Sequence, residues 1–420
     1  MELDSGNTAW VLISTALVLF MTPGLALFYG GMVRGKNVLG MLMQNIFAMG
    51  LLAILWVGIV FSLAFGDAGN GGIIGNFDYA FLKDVGGVAA GVDLPGGSDH
   101  FFGWLSVPFI LFCAFQMTFA IITPALITGA TADRLKFGAY AVFIGVWLVL
   151  VYGPLAHMVF AGGWLAERGA LDFAGGAVVH MNAGAAALAL IILLGRRKGY
   201  PETPMPPHNL PMTILGTGIL WFGWAGFNAG SAIAADAVAA QAIMNTFLAA
   251  SAAMLGWLVV ERLKDGHATT LGAASGAVAG LVAITPCAGF VGGMAPVYIG
   301  AFTGAVCYLA LGIKKAFKLD DSLDVIAVHL VGGLVGSILL GFFADASINS
   351  LVVDEGVFLG GGTALLMDQL LASVVTIGFS FVASIIIGKV IDLTMGLRVS
   401  EEAEDEGLDL SQHAEVAYAD

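Results

Sequence analysis

The chain has 420 residues, of which 59% are apolar and 11% charged, and it carries a formal net charge of −14. Soluble domains carry about 25% charged residues, so water is excluded as the main solvent, and the acidic balance excludes nucleic acid as a partner. Apolar runs recur from Trp10 to Ile391, each near the ~20 residues that a helix needs to cross the hydrocarbon of a lipid bilayer; the class is an all-α polytopic protein of the cell (inner or plasma) membrane.

In chain order, Met1 to Thr8 holds Glu2 and Asp4 but no basic residue. It lacks the positive start of a cleavable signal peptide, so the first run is expected to stay as a span. Runs of adequate length lie at 9–32, 39–65, 102–127, 137–160, 174–195, 210–231, 237–260, 268–287, 291–312, 325–344 and 364–391, which makes eleven transmembrane helices. The expected division is a transmembrane domain over 1–393 and a cytoplasmic C-terminal tail over 394–420. Within the domain, one repeat covers 8–195, a second 210–345, and an eleventh helix 364–392. The 59 glycines sit largely inside the runs, where helices must pack backbone to backbone. Gly272, Gly276 and Gly280 repeat a small residue every fourth position for that purpose. Cys113, Cys287 and Cys307 also fall within spans and lack the spacing of a metal cluster or a disulfide framework. They read as packing residues, and neither a metal nor a cofactor is expected.

Loops retained in the cytoplasm are enriched in Lys and Arg. Of the 16 basic residues, Lys83 and Arg168 alone fall on one side of an eleven-span layout, which puts the N-terminus outside and the C-terminus in the cytoplasm. The exterior then holds Asp67, Asp78, Asp84, Asp93, Asp99, Glu167 and Asp354. A negative mouth of this kind raises the local concentration of cations; alternatively, these loops are simply solvated.

Short patterns recur in the same order in two halves. Phe28 to Gly31 (FYGG) matches Phe227 to Gly230 (FNAG), and Ile122 to Pro124 matches Ile284 to Pro286. Val179-His180 with Gly184 matches Val328-His329 with Gly333. Five spans per repeat is an odd number, so the second half enters the membrane inverted, and sites in such proteins lie where the halves meet near the midplane.

Ionisable groups inside a span are functional candidates by default. His180 and His329 qualify, and the repeat sets them opposite each other, where two imidazoles can share one proton with neither charged; two unrelated core histidines bonded to backbone carbonyls are the alternative. His157, near the end of the fourth span, reads as structural. Asp172 precedes the fifth span, where a carboxylate caps free N–H groups at the positive helix end. Aromatic rings cluster at Phe115 and Phe119, which share a face by their spacing of four, and at Trp224 and Phe227, which share one by their spacing of three. Such faces attract a small cation, although packing explains most aromatic residues in membranes.

Taken together, these residues resemble the ammonium transporter family, Amt/MEP/Rh, and its bacterial and plant Amt branch in particular. The resemblance rests on Asp172 to Gly184 (DFAGGAVVHMNAG), Gly223 to Ser231 (GWAGFNAGS), Pro23 to Gly31 (PGLALFYGG), Asp320-Asp321 and Asp324-Val325 leading to His329, and Asp392 to Arg398 (DLTMGLR). It covers essentially the whole chain. It implies a homotrimer in the lipid bilayer with one pore per subunit, and a substrate of ammonium or ammonia, with methylammonium as a further candidate. By the same resemblance Phe119 and Ser231 belong to an outer recruitment site, Phe115 and Phe227 form a hydrophobic gate, and Trp224 lines the path beyond. His180 and His329 are the twin histidines of the pore, and Asp172 is the structural carboxylate near its mouth. One position departs from the family pattern: the outer site commonly has a tryptophan twelve residues before the aspartate, and here that place is Phe160, whose ring holds a cation less strongly.

A bare cation in low dielectric faces a desolvation cost of order 20 kcal/mol, and no carboxylate lies deep in the expected pore to offset it. The implied route is that NH4+ binds outside, loses a proton and crosses as NH3 along the histidines while the proton moves separately. An intramembrane hydrolase with histidine-bound metal is the enzyme alternative, but no HExxH motif is present and two histidines make a poor zinc site. The chain is therefore read as a non-enzyme, with an ammonium sensor signalling through its tail as the second reading. The tail, Leu397 to Tyr418, resembles one that contacts neighbouring subunits and a PII-type regulatory protein at the cytoplasmic face; a disordered acidic tail fits its composition equally well.

Overall fold

The computed structural model describes residues 3–67, 71–86 and 103–418; Asp93 and Asp99 lie outside them. The described residues are helical apart from loops and an isolated bridge between Leu135 and Arg398. The spans are α1 Ser5–Met32, α2 Gly35–Phe65, α3 Phe109–Thr131, α4 at 137–160, α5 Gly176–Leu194, α6 Leu210–Ala232, α7 Ala237–Asp265, α8 Thr270–Ile284, α9 Ala295–Ala316, α10 Ile326–Phe343 and α11 Ala364–Met395. Ten of them are long and apolar enough to cross a membrane, and α8 is a shorter apolar helix. The eleven runs thus reappear as eleven helices with ends shifted by a few residues, and two of the shifts trace to prolines. Expected from 102, α3 starts at Phe109, because Pro108 steers the residue before it away from helical backbone. Expected to reach 287, α8 stops at Ile284: Thr285 keeps helical angles but its N–H bonds only three residues back, to the Val282 carbonyl at 3.2 Å, and Pro286 has no N–H to continue the ladder.

The two halves meet along helices that correspond in the repeat. α1 packs on α6 through glycines: a Cβ on Gly24 would lie 2.5 Å from Ile219, and one on Gly226 2.8 Å from Leu17. α5 crosses α10 at Gly184 and Gly333. A Cβ on Gly184 would lie 2.6 Å from Leu330, and one on Gly333 2.9 Å from the Gly176 carbonyl and 3.2 Å from His180. The Gly272, Gly276 and Gly280 series faces α7, against Glu261, Trp257 and Ala253 respectively. Without a hydrophobic drive between helices inside lipid, such close approach supplies the van der Waals contact that holds spans together.

The tail folds rather than trailing as a disordered acidic segment. Ser400 caps Glu401–Glu406 by accepting from Ala403 N–H, and a second short helix, Leu408–His413, follows. Both dock on the same chain. Lys36 Nζ donates to the Glu404 carbonyl at 2.9 Å, Arg398 pairs with Glu404 at 2.7 Å, and Gly40 N–H donates to Asp409 Oδ1 at 2.8 Å. At this end of the bundle Asp133 and Asp320 are buried among Arg34, Arg134 and Arg197. The Arg197 side chain donates to both Asp320 oxygens, at 2.9 and 2.8 Å, and its backbone N–H donates to Oδ2 at 2.7 Å. Burial alone would raise the Asp320 carboxyl; the hydrogen bonds from Arg197 and the charge of Arg134 outweigh it and hold the group below the usual range.

Candidate functional site

His180 and His329 meet where α5 and α10 cross. Their Nδ1 atoms lie 3.2 Å apart, the rings are nearly parallel at 22° with centroids 5.3 Å apart, and both residues are buried. Each sits in a π-helical opening of its span, Gly176–Met181 and Ile326–Val331, a distortion of the α-helix that is frequent at functional sites.

The approach to each histidine is built alike. Eight residues before His180, Asp172 accepts four backbone N–H groups, from Gly175 and Gly176 on Oδ1 and from Ala177 and Val178 on Oδ2. Eight residues before His329, Asp321 accepts from Val325 at 3.1 Å and Ile326 at 2.8 Å. Five residues before each histidine the backbone turns left-handed, at Gly175 (φ 118°) and at Asp324 (φ 63°), two residue types that tolerate that region. Asp324 also pairs with Lys314 at 2.5 Å. Asp321 was legible in the sequence as the repeat partner of Asp172, since the two share one offset from their histidines, but the Asp320-Asp321 pair draws attention only as a family motif.

Beside the histidines lies a cavity of about 10 Å³, room for about one molecule the size of water. Its wall is apolar except for the imidazoles and includes Leu25, Phe28, Ile122, Leu220, Trp224 and Phe227. Trp224 stacks on His180 at 5.5 Å and 20°, its indole N–H anchored on Thr285 Oγ1 at 3.0 Å. Phe227 stacks on the same imidazole at 5.9 Å and 21°. His180 Nε2 has no hydrogen-bond partner within the protein. Phe28 is the counterpart of Phe227 in the FYGG and FNAG patterns and lines the same cavity.

Two further rings follow Phe227. Phe119 meets it at 4.5 Å, and Phe115 lies behind Phe119 at 4.9 Å with an edge-on ring. The gate expected from the sequence pairs Phe227 with Phe115; the ring that Phe227 meets is Phe119. A spacing of four puts Phe115 and Phe119 on one face of α3 but cannot tell which of them faces α6. Ser231, half-buried, donates to the Phe227 carbonyl at 2.8 Å. Phe160 ends α4 half-buried against the main core. His157 is buried, with Nδ1 3.0 Å from the Ala64 carbonyl and Nε2 without a hydrogen-bond partner within the protein. Among the described residues no group of three metal-ligating side chains comes together.

The comparisons with known proteins agree with this geometry. The model of the Ammonium Transporter Family matches residues 9–418. An ammonium transporter of Mycobacterium tuberculosis is 49% identical, covering 99% of this chain and 90% of the relative, and one of Bacillus subtilis is 46% identical, covering all of both. Among solved structures, Saccharomyces cerevisiae Mep2 aligns with a TM-score of 0.86 at 34% identity, covering 96% of this chain and 89% of the other. A structure described as a sensor Amt protein aligns at 0.87 and 29% identity, covering 97% and 98%. The chain therefore belongs to the ammonium transporter family and is a multi-pass protein of the cell membrane.

Proposed function

We propose that the protein conducts ammonium by separating it, ahead of the pore, into NH3, which crosses along the histidine pair, and a proton, which crosses separately by way of the same imidazoles. The observation that carries this reading is a pair of buried imidazoles 3.2 Å apart, one with an unpartnered nitrogen, beside a cavity for one small molecule. NH4+ is recruited at the outer end by the ring faces of Phe119 and Phe160 and by the Ser231 hydroxyl. That hydroxyl gives its proton to the Phe227 carbonyl and so keeps its lone pairs for the cation. The ion loses a proton before the apolar stretch, where keeping the charge costs on the order of 20 kcal/mol. NH3 then passes the rings of Phe119 and Phe227, with Phe115 backing them, and continues past Trp224 along His180 and His329. Potassium has no proton to give up and is excluded at this step.

The same reading puts the N-terminus outside and the tail in the cytoplasm, divides the chain into a transmembrane domain over 1–393 and a tail over 394–420, and assembles three copies with one pore each. A PII-type protein is the partner proposed for the cytoplasmic face. The test is current on a solid-supported membrane carrying proteoliposomes, after an ammonium jump. Wild type should give a current that potassium does not, and His180→Ala with His329→Ala should lose that selectivity or the current itself. Absence of wild-type current, with NH3 flux also at background, would sink transport. The likeness to a sensor Amt protein favours, as second reading, an ammonium sensor that signals through its tail.

A further inference from the structure

The histidine pair is symmetric in its backbone but not in its partners, and the difference lies in Tyr29. This residue is buried, with its hydroxyl 3.2 Å from the Leu126 carbonyl and 3.5 Å from His329 Nε2. Its repeat counterpart, Asn228, turns its amide to Thr246 Oγ1 at 2.9 Å, and His180 Nε2 has no partner.

The Leu126 carbonyl needs a donor. In a regular turn it would accept from Ala130 N–H, but α3 is distorted here and that N–H goes to the Ile127 carbonyl at 3.0 Å. A buried carbonyl left without a partner is costly, and a carbonyl can only accept. The single Tyr29 proton therefore belongs to Leu126, which leaves the phenol oxygen to His329 as an acceptor. A neutral imidazole has one donor and one acceptor nitrogen, and the bond made by one nitrogen fixes the role of the other.

We infer that Tyr29 is a positioning residue that sets the direction of the histidine pair. His329 carries its proton on Nε2, toward Tyr29, and its bare Nδ1 accepts from His180 Nδ1–H. His180 Nε2 is then a bare lone pair facing the cavity on the Phe227 side. The order of donors runs His180 to His329 to Tyr29 to Leu126, and the histidine beside Trp224 and Phe227 is the one that accepts an N–H from an arriving molecule. The consequence for transport rests on the function proposed above; the proton positions do not.

The test is solid-state 15N magnetic resonance of histidine-labelled full-length protein in bilayers without ammonium, comparing wild type with Tyr29→Phe. The pore pair is picked out by its Nδ1 to Nδ1 contact, and His329 by its contact with a 13C-labelled Tyr29 ring. Wild type should show one set of signals, with His329 protonated at Nε2 and His180 at Nδ1. Tyr29→Phe should add a second set with both rings reversed. Protonation of His329 at Nδ1 in wild type overturns the proposal, as does a variant spectrum with one unchanged set. Should the variant fail to fold, the wild-type spectrum decides alone. Since no substrate is present, the outcome is independent of whether the protein transports.

Discussion

Asp172 and Asp321 hold the starts of α5 and α10, and through them the histidines eight residues on. A carboxylate accepting several N–H groups at a helix start satisfies donors that have no intrahelical partner and meets the positive end of the helix dipole. Asp172→Ala strands the four amides of residues 175–178 and should cost about 2–4 kcal/mol, read as a lower unfolding temperature in detergent together with loss of ammonium current. Asp172→Asn should cost less, because its amide oxygen still accepts. An alanine variant that melts like wild type would remove Asp172 from this role. Asp321→Ala is expected to behave in the same direction with a smaller loss, since Asp321 holds two amides rather than four.

At the scale of the helices, glycine placement decides how closely spans approach. Gly304 of α9 lies against the backbone of Ala253 in α7, whereas Gly378 of α11 faces open space. Gly304→Leu should destabilise by about 1–3 kcal/mol through overpacking. Gly378→Ala should be neutral or stabilise by up to about 1 kcal/mol, from helix propensity. Paired thermal unfolding curves that showed no difference would sink this account of the seam. The small-residue series Gly272, Gly276, Gly280 announces such a seam in the sequence, and the eleven spans are legible for a related reason: hydrocarbon thickness demands long apolar runs. The π-helical openings are not legible, because one more residue in a turn leaves composition and apolar spacing unchanged. Nor is the meeting of Phe119 with Phe227, which depends on the rotation of one helix against another.

For the whole molecule, the tail and the ionic network beneath it tie loops from both repeats together. Charge counting places the basic residues on one side but cannot foresee that Arg34, Arg134 and Arg197 are committed to buried aspartates, or that an acidic tail folds by gripping Lys36 and Gly40. Asp320→Asn leaves Arg197 and Arg134 buried with less counter-charge and should cost about 3 kcal/mol. Because its pKa is held low in the folded protein, the stability contributed by Asp320 is fully present above the unfolded carboxylate range near pH 4 and is lost as pH falls through the folded value. Unfolding temperature against pH should therefore lose less at acid pH in Asp320→Asn than in wild type, with the two curves converging below about pH 4. Parallel curves would mean that Asp320 is not held low.

The π-helical openings also set a rule about chain length. An α-helix advances by about 100° per residue, and each opening accommodates one residue more than an α-turn holds. A span with one opening is therefore one residue longer than a regular helix that covers the same turns, and its far end keeps the phase the regular helix would have. Along these two stretches the added residue alters the backbone beside each histidine and leaves the rest of the span where an unbroken helix would put it, so the count of residues from carboxylate to histidine belongs to the site as their identities do.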